Sequence, residues 1–175
     1  MEPLKHATKH KRSLAAVITT GIVSILAAAF PASADPAASP PRQATVEQRG
    51  ESVMPFDMNR TMHMFTPTTS GGVESVVSND GDPHQIALIR AHLRKEARAF
   101  AHGDFSDPAS IHGNDMPGLA LLRAGARRIT VSYVNAANGA SIIYKTPDPT
   151  LIAAIHHWFA AQVSDHGAHA MMMNH

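Results

Sequence analysis

The 175-residue sequence contains no cysteine. That excludes disulfide staples, thiolate zinc sites, iron–sulfur clusters, c-type haem attachment and any thiol nucleophile. Aromatic residues are scarce at 5%, with a single tryptophan, and charged residues make up only 17%. Catalytic signatures are missing too. There is no Gly-x-Ser-x-Gly elbow, no phosphate-cradling glycine loop, no His-Glu-x-x-His and no calcium-loop pattern. Serine hydrolases, P-loop enzymes, zincin-type proteases and EF-hands are thereby disfavoured.

The first 34 residues read as a secretory leader. Lys5, Lys9, Lys11 and Arg12 form a basic start, residues 14–30 an apolar run, and Ala32-Ser33-Ala34 a small-residue cleavage site. Export to the periplasm or beyond, with cleavage near Ala34, is expected, and no stable membrane insertion afterwards. The remaining 141 residues carry a net charge of −2 with neutral histidine. No basic face survives, so nucleic acid is not an expected partner. The length suits one domain with one core. This part keeps 10 of the 12 histidines and 8 of the 9 methionines.

Residues 35–53, rich in Pro, Ala, Ser and Gln, read as a flexible linker. A single domain is expected over 54–165. Residues 61–66 alternate and 73–78 follow a Ser-Gly-Gly turn, which predicts a hairpin. Asp82-Pro83 opens a helix whose apolar stripe is Ile86, Ile89, Leu93, Ala97 and Phe100, with Gln85 at capping-box spacing. Residues 103–118 are loop-rich, and a brief helix ends at Gly125. A second hairpin joins 129–134 to 140–145 across Asn138-Gly139. Asp148-Pro149 opens the last helix, with Leu151, Ile152, Ile155, Phe159 and Val163 as its stripe. Residues 166–175 read as a flexible His/Met tail. The order predicts an α+β fold: a small antiparallel sheet of about four strands, two main helices on one face, in a split β-α-β-like arrangement.

Thiol-free, exported and rich in thioethers and imidazoles, the chain is read as a binder of a transition metal, copper ahead of zinc. On a strand, Met62 and Met64 point to one face and His63 to the other. The two thioethers suit Cu(I), with Met58 and His63 nearby. His166, His169, Met171, Met172, Met173 and His175 form a candidate capture arm. The central loop adds His102 and His112, among Asp104, Asp107 and Asp115, as zinc- or copper-type ligands. His92 and Glu96 stand four apart on a helix, spaced either for a metal or for an ordinary solvated pair. His156 and His157 read as one boundary and one surface residue. Methionines filling a core and a chance-composed tail are the bland alternatives.

The segments NRTMHMFTPTTSGGVESVV, HLRKEARAFAHGDFSDPASIHGNDMPGLALL and IHHWFAAQVSDHGAH resemble a functionally uncharacterised family of small exported Met/His-containing bacterial proteins, loosely associated with copper handling. The likeness spans about residues 56–170 and implies a shared fold, with no catalytic residue carried over. The expected function is copper sequestration or delivery without chemistry, with another exported metal-handling protein as partner. Two alternatives stand beside it: a small metal-dependent hydrolase built on loop 102–115, and a pH-responsive interaction module using the histidines.

Overall fold

In a computed structural model of the chain, residues 38–174 are described. The leader at 1–34 and the expected ligand His175 lie outside them. Helix α1 (Pro40–Gly50) comes first. The hairpin β1 (Thr61–Thr68) and β2 (Gly71–Ser78) follows, then α2 (Pro83–Ala101) and the short helices α3 (Ser106–His112) and α4 (Leu119–Gly125). A second hairpin, β3 (Thr130–Ala136) and β4 (Gly139–Lys145), leads into α5 (Pro149–His166) and a short terminal strand β5 (Ala170–Met172). No helix of the described residues is long and apolar enough to cross a membrane.

The architecture is the expected α+β class, with one strand more than expected. The sheet order is β3-β4-β2-β1-β5. Four strands pair antiparallel, while β5 runs parallel to β1, so the sheet is mixed. The tail is therefore not free. His63, Met64 and Phe65 register against Ala170, Met171 and Met172, and the Met173 amide continues the ladder to the Phe65 carbonyl.

The linker expectation also needs correction. Residues 40–50 are helical, Val46 is buried, and Arg42 and Gln43 bond Asp165 and the Ser164 carbonyl. Pro40 and Pro41, counted toward the linker composition, instead occupy the first helical positions, where a missing N–H costs nothing.

Helices α2 and α5 pack on one sheet face. Phe65, Val76, Ile142 and Tyr144 come from the strands; Ile89, Leu93 and Phe100 from α2; Leu151, Ile155, Trp158 and Phe159 from α5. Gly72 permits the closest approach, since a Cβ there would stand 2.4 Å from the Phe159 ring. Asp82 and Asp148 cap their helices as expected, accepting from the His84 amide and from the Thr150 and Leu151 amides. Gln85 does not complete a capping box; its side chain accepts from the Asp57 amide and ties α2 to the turn before β1. The buried stripe of α5 keeps the expected Leu151, Ile155 and Phe159 and adds Ala154, Trp158, Gln162 and Asp165, while Ile152 and Val163 are only half-buried.

Candidate functional site

Polar side chains gather where the α2 and α5 stripes meet the β1–β2 end of the sheet. Strand alternation turns His63 and Phe65 inward on β1, and the register brings Val76 and Glu74 beside them on β2. Helix α2 contributes His92 and Glu96 at i,i+4 spacing; α3 contributes His112; α5 contributes Trp158, Gln162 and His166 at steps of four. Together they line a cavity of about 40 Å³ with Asp107 at its side. That is room for about three water-sized groups.

Three imidazoles adjoin one another. His63 and His166 stack with ring centroids 5.0 Å apart, and His166 meets His112 edge-on at 4.9 Å. Asp165 fixes the last of these: its Oδ2 accepts from the His112 Nδ1–H at 2.9 Å. The same carboxylate accepts from Arg42 Nε and an Arg42 terminal nitrogen at 2.6 and 2.7 Å. Burial alone would raise the Asp165 carboxyl, but the bonds from His112 and Arg42 hold it below the usual carboxylate range.

The remaining groups are pushed toward neutrality. Burial drives His63 down to about 4, helped by the neighbouring His92 and His112 and opposed by the His169 backbone. Burial also takes His92 to about 4 and His166 well below its ordinary value. Glu74 rises to about 7 because it is buried, although the Tyr144 hydroxyl donates to its Oε2 at 2.8 Å. Glu96 likewise rises to about 7, from burial and then from adjacent Asp107, with Lys95 opposing.

Four buried polar atoms have no hydrogen-bond partner among the described residues: His63 Nδ1, Glu96 Oε1, Trp158 Nε1 and Gln162 Nε2. All four residues line this one cavity. The Lys95 ammonium comes within 3.3 Å of Glu96 Oε1 but lacks hydrogen-bond geometry. Unpaired buried polar groups cost about 1–3 kcal/mol each. Four around one space mark a polar chamber and not a packing accident.

A second feature lies on the opposite sheet face. Met62 and Met64 point away from the core and are half-buried. In the parallel pairing Met64 stands directly beside Met171. Met171 and Met173 are each 40% exposed, and alternation carries them to the same side. Neighbouring strands lie about 4.8 Å apart, so thioethers from two strands share one open surface. No helix of the described residues covers it.

The expected ligands thus divide. His63, His112 and His166 meet in the chamber; Met62, Met64, Met171 and Met173 meet on the outer face. Met172 turns inward against the core, as the partner of Phe65. Met58 is buried, its sulfur beside Gly50. His169 borders a second hollow with Gln43 and Glu47, which Met58, Asp165 and the chamber residue His166 also line. His102 is exposed, with its Nδ1 on the Arg98 carbonyl. The central loop does not converge. Asp104 caps Ser106, Asp107 pairs with Lys95, Asp115 is exposed, and of the four residues His102, Asp104, His112 and Asp115 only His112 lines the chamber. His156 is half-buried beside the Thr68 and Gly71 carbonyls, and His157 is exposed.

Sequence reasoning missed Glu74, Trp158, Gln162 and the Arg42–Asp165–His112 chain. Two signals pointed to Gln162 and Glu74. Gln162 is a polar residue one turn beyond Trp158 on an otherwise apolar stripe, and pairing Phe65 across the hairpin turns Glu74 inward. Among the described residues, no three His, Asp or Glu side chains are arranged to hold a metal ion. Comparison with family models, with curated proteins and with solved structures found no match to this chain.

Proposed function

We propose that this chain binds copper as Cu(I), through thioethers on the open face of its sheet, and serves in sequestration or delivery. The observation that carries this reading is the register of Met64 against Met171, with Met62 and Met173 on the same side. Thioether sulfur is soft and selects Cu(I) over harder ions. A packing role for these side chains would bury them, yet Met171 and Met173 are 40% exposed. The thiol-free composition leaves thioethers as the soft ligands available. Export through the N-terminal leader belongs to the same reading, because an oxidising compartment favours ligands that do not form disulfides.

An edge-strand site of this kind holds its ion near the surface, where a second exported metal-handling protein can take it by ligand exchange. The test is a titration with Cu(I) against a competing chelator, comparing wild type with Met62→Leu/Met64→Leu/Met171→Leu. Leucine keeps the volume and removes the sulfur. A 10-fold or greater loss of affinity in the triple variant supports the site. Equal affinities in the two proteins overturn it. Binding of Zn²⁺ at least as tight as Cu(I) would also overturn it, since zinc does not favour thioethers.

A further inference from the structure

The chamber on the core side is unused by the thioether reading and needs its own account. Its unpartnered atoms are of two kinds. Trp158 Nε1–H donates only, and the Gln162 amide nitrogen donates. Glu96 Oε1, from α2, and the His63 ring nitrogen, from β1, are acceptor-capable atoms of residues lining the same space. A complement must therefore both accept and donate, within about three heavy atoms.

Charge narrows the class. Among the described residues no lysine or arginine lines the cavity: Arg42 is engaged with Asp165, and Lys95 lies outside between Glu96 and Asp107. Burial keeps the imidazoles of His92 and His166 uncharged. An anion placed here would lose its hydration and meet no cation. A metal ion meets no three donors arranged around one point. A compact organic cation would have to draw charge onto Glu74 and Glu96, which the site favours in their neutral form.

We propose that the chamber is a binding site for a small uncharged primary amide, of the formamide class, whose carbonyl accepts from Trp158 Nε1 and Gln162 Nε2 and whose NH₂ donates to His63 Nδ1 and Glu96 Oε1. The ligand satisfies all four orphaned atoms and adds no buried charge. Four lining residues are partly exposed, Val53, Glu74, His92 and Asp107, so the chamber is not sealed from solvent.

The only tryptophan in the chain is Trp158, so its indole N–H gives one unambiguous amide-region resonance. Three isosteric probes separate the classes: formamide (neutral), formate (anionic) and formamidinium (cationic). Each is titrated into the protein at constant ionic strength and pH 7.0 while the ¹⁵N-indole signal is followed. Formamide is expected to shift it saturably, with at least 10-fold weaker response to the two ions. Gln162→Leu and Glu96→Leu should each weaken formamide binding at least 5-fold, while Leu121→Ala, at an exposed site away from the chamber, should leave it unchanged. A linear, unsaturable shift overturns the proposal, leaving the chamber to water. Saturation by formate or formamidinium at least as strong as by formamide overturns it as well. So does saturation of the indole signal by Zn²⁺ with none by formamide. The wild-type titration decides the matter even if a variant fails to fold.

Discussion

Asp165 on α5 and His112 at the end of α3 form a buried pair, 53 residues apart in sequence, with Oδ2 and Nδ1 2.9 Å apart and side chains 4% and 1% exposed. Arg42 on α1 clasps the same carboxylate. Three helices are thereby joined through one side chain. Asp165→Asn removes the charge and leaves two donors facing a weaker acceptor. The expected loss is about 2–4 kcal/mol of unfolding free energy, read by urea denaturation at pH 7. Arg42→Ala, on the half-exposed side of the pair, should cost no more than about 1 kcal/mol. The Asp165 carboxyl is depressed, so its contribution is present above the ordinary carboxylate range and is lost as the pH falls through that depressed value. If Asp165→Asn and wild type have the same urea midpoint, the pair does not hold α1 and α3 in place.

Glu74 makes an opposite pH prediction. Its folded value, about 7, lies above the ordinary 4.5. The native state holds the proton more tightly than the unfolded chain, so stability falls as pH rises through 7. The full cost of the ion is about 3 kcal/mol. Glu74→Gln keeps an acceptor for the Tyr144 hydroxyl and cannot ionise. The variant should gain on wild type by about 2–3 kcal/mol between pH 5 and pH 8.5, measured by urea unfolding at each pH. A gap that stays constant across that range would show that Glu74 does not ionise with a raised value. His92, lowered to about 4 by burial, works the other way: its neutral form favours folding above 6.5, and that contribution is lost as pH falls from 6.5 through 4.

How much of this was readable beforehand depends on the range of the interaction. Both hairpins, the Asp-Pro helix starts and the placing of His63 on the face opposite Met62 and Met64 are local, fixed by period and cap chemistry, and all were legible; which of the two faces turns inward was not. Helix α1 was not, because its low apolar content hides a single buried Val46 and its stability comes from Arg42 and Gln43 reaching α5. Strand β5 was not either. Three residues carry no periodic signal, and they extend only because β1 offers an edge. The chamber was half legible. His92 and Glu96 stood out by spacing, and His63, His112 and His166 as residue types, but their meeting depends on tertiary packing that joins positions up to 103 residues apart in number.

The methionines divide by face, and oxidation should read that division. Met54, Met58 and Met116 are at most 8% exposed, whereas Met171 and Met173 are 40% exposed, with Met62 and Met64 half-buried on the same outer surface. Dilute hydrogen peroxide should convert Met171 and Met173 to sulfoxides first, Met62 and Met64 next, and the buried three last. Peptide mass spectrometry gives the order. Under the copper reading, one equivalent of Cu(I) under anaerobic loading should slow alkylation of the outer thioethers at low pH by severalfold and leave the buried three unchanged. Uniform rates along the chain would contradict the two-face arrangement.

Removal of residues 170–175 tests whether the terminal strand is structural as well as ligating. Truncation strips β1 of its parallel partner, exposes its backbone edge and uncovers the core surface that Met172 and Ala170 pack against. It leaves α5 intact to His166, so the stacked His63–His166 pair keeps both members. Burial of one half-buried methionine and the backbone bonds to β1 predict a loss of about 2–3 kcal/mol. Met171→Leu/Met173→Leu, which keeps the strand and loses only sulfur, should cost under about 0.5 kcal/mol. A truncated protein as stable as wild type would mean that β5 rests on the sheet without contributing to it. A destabilised Leu variant would mean that the outer thioethers pack, and that their exposure understates their role in the fold.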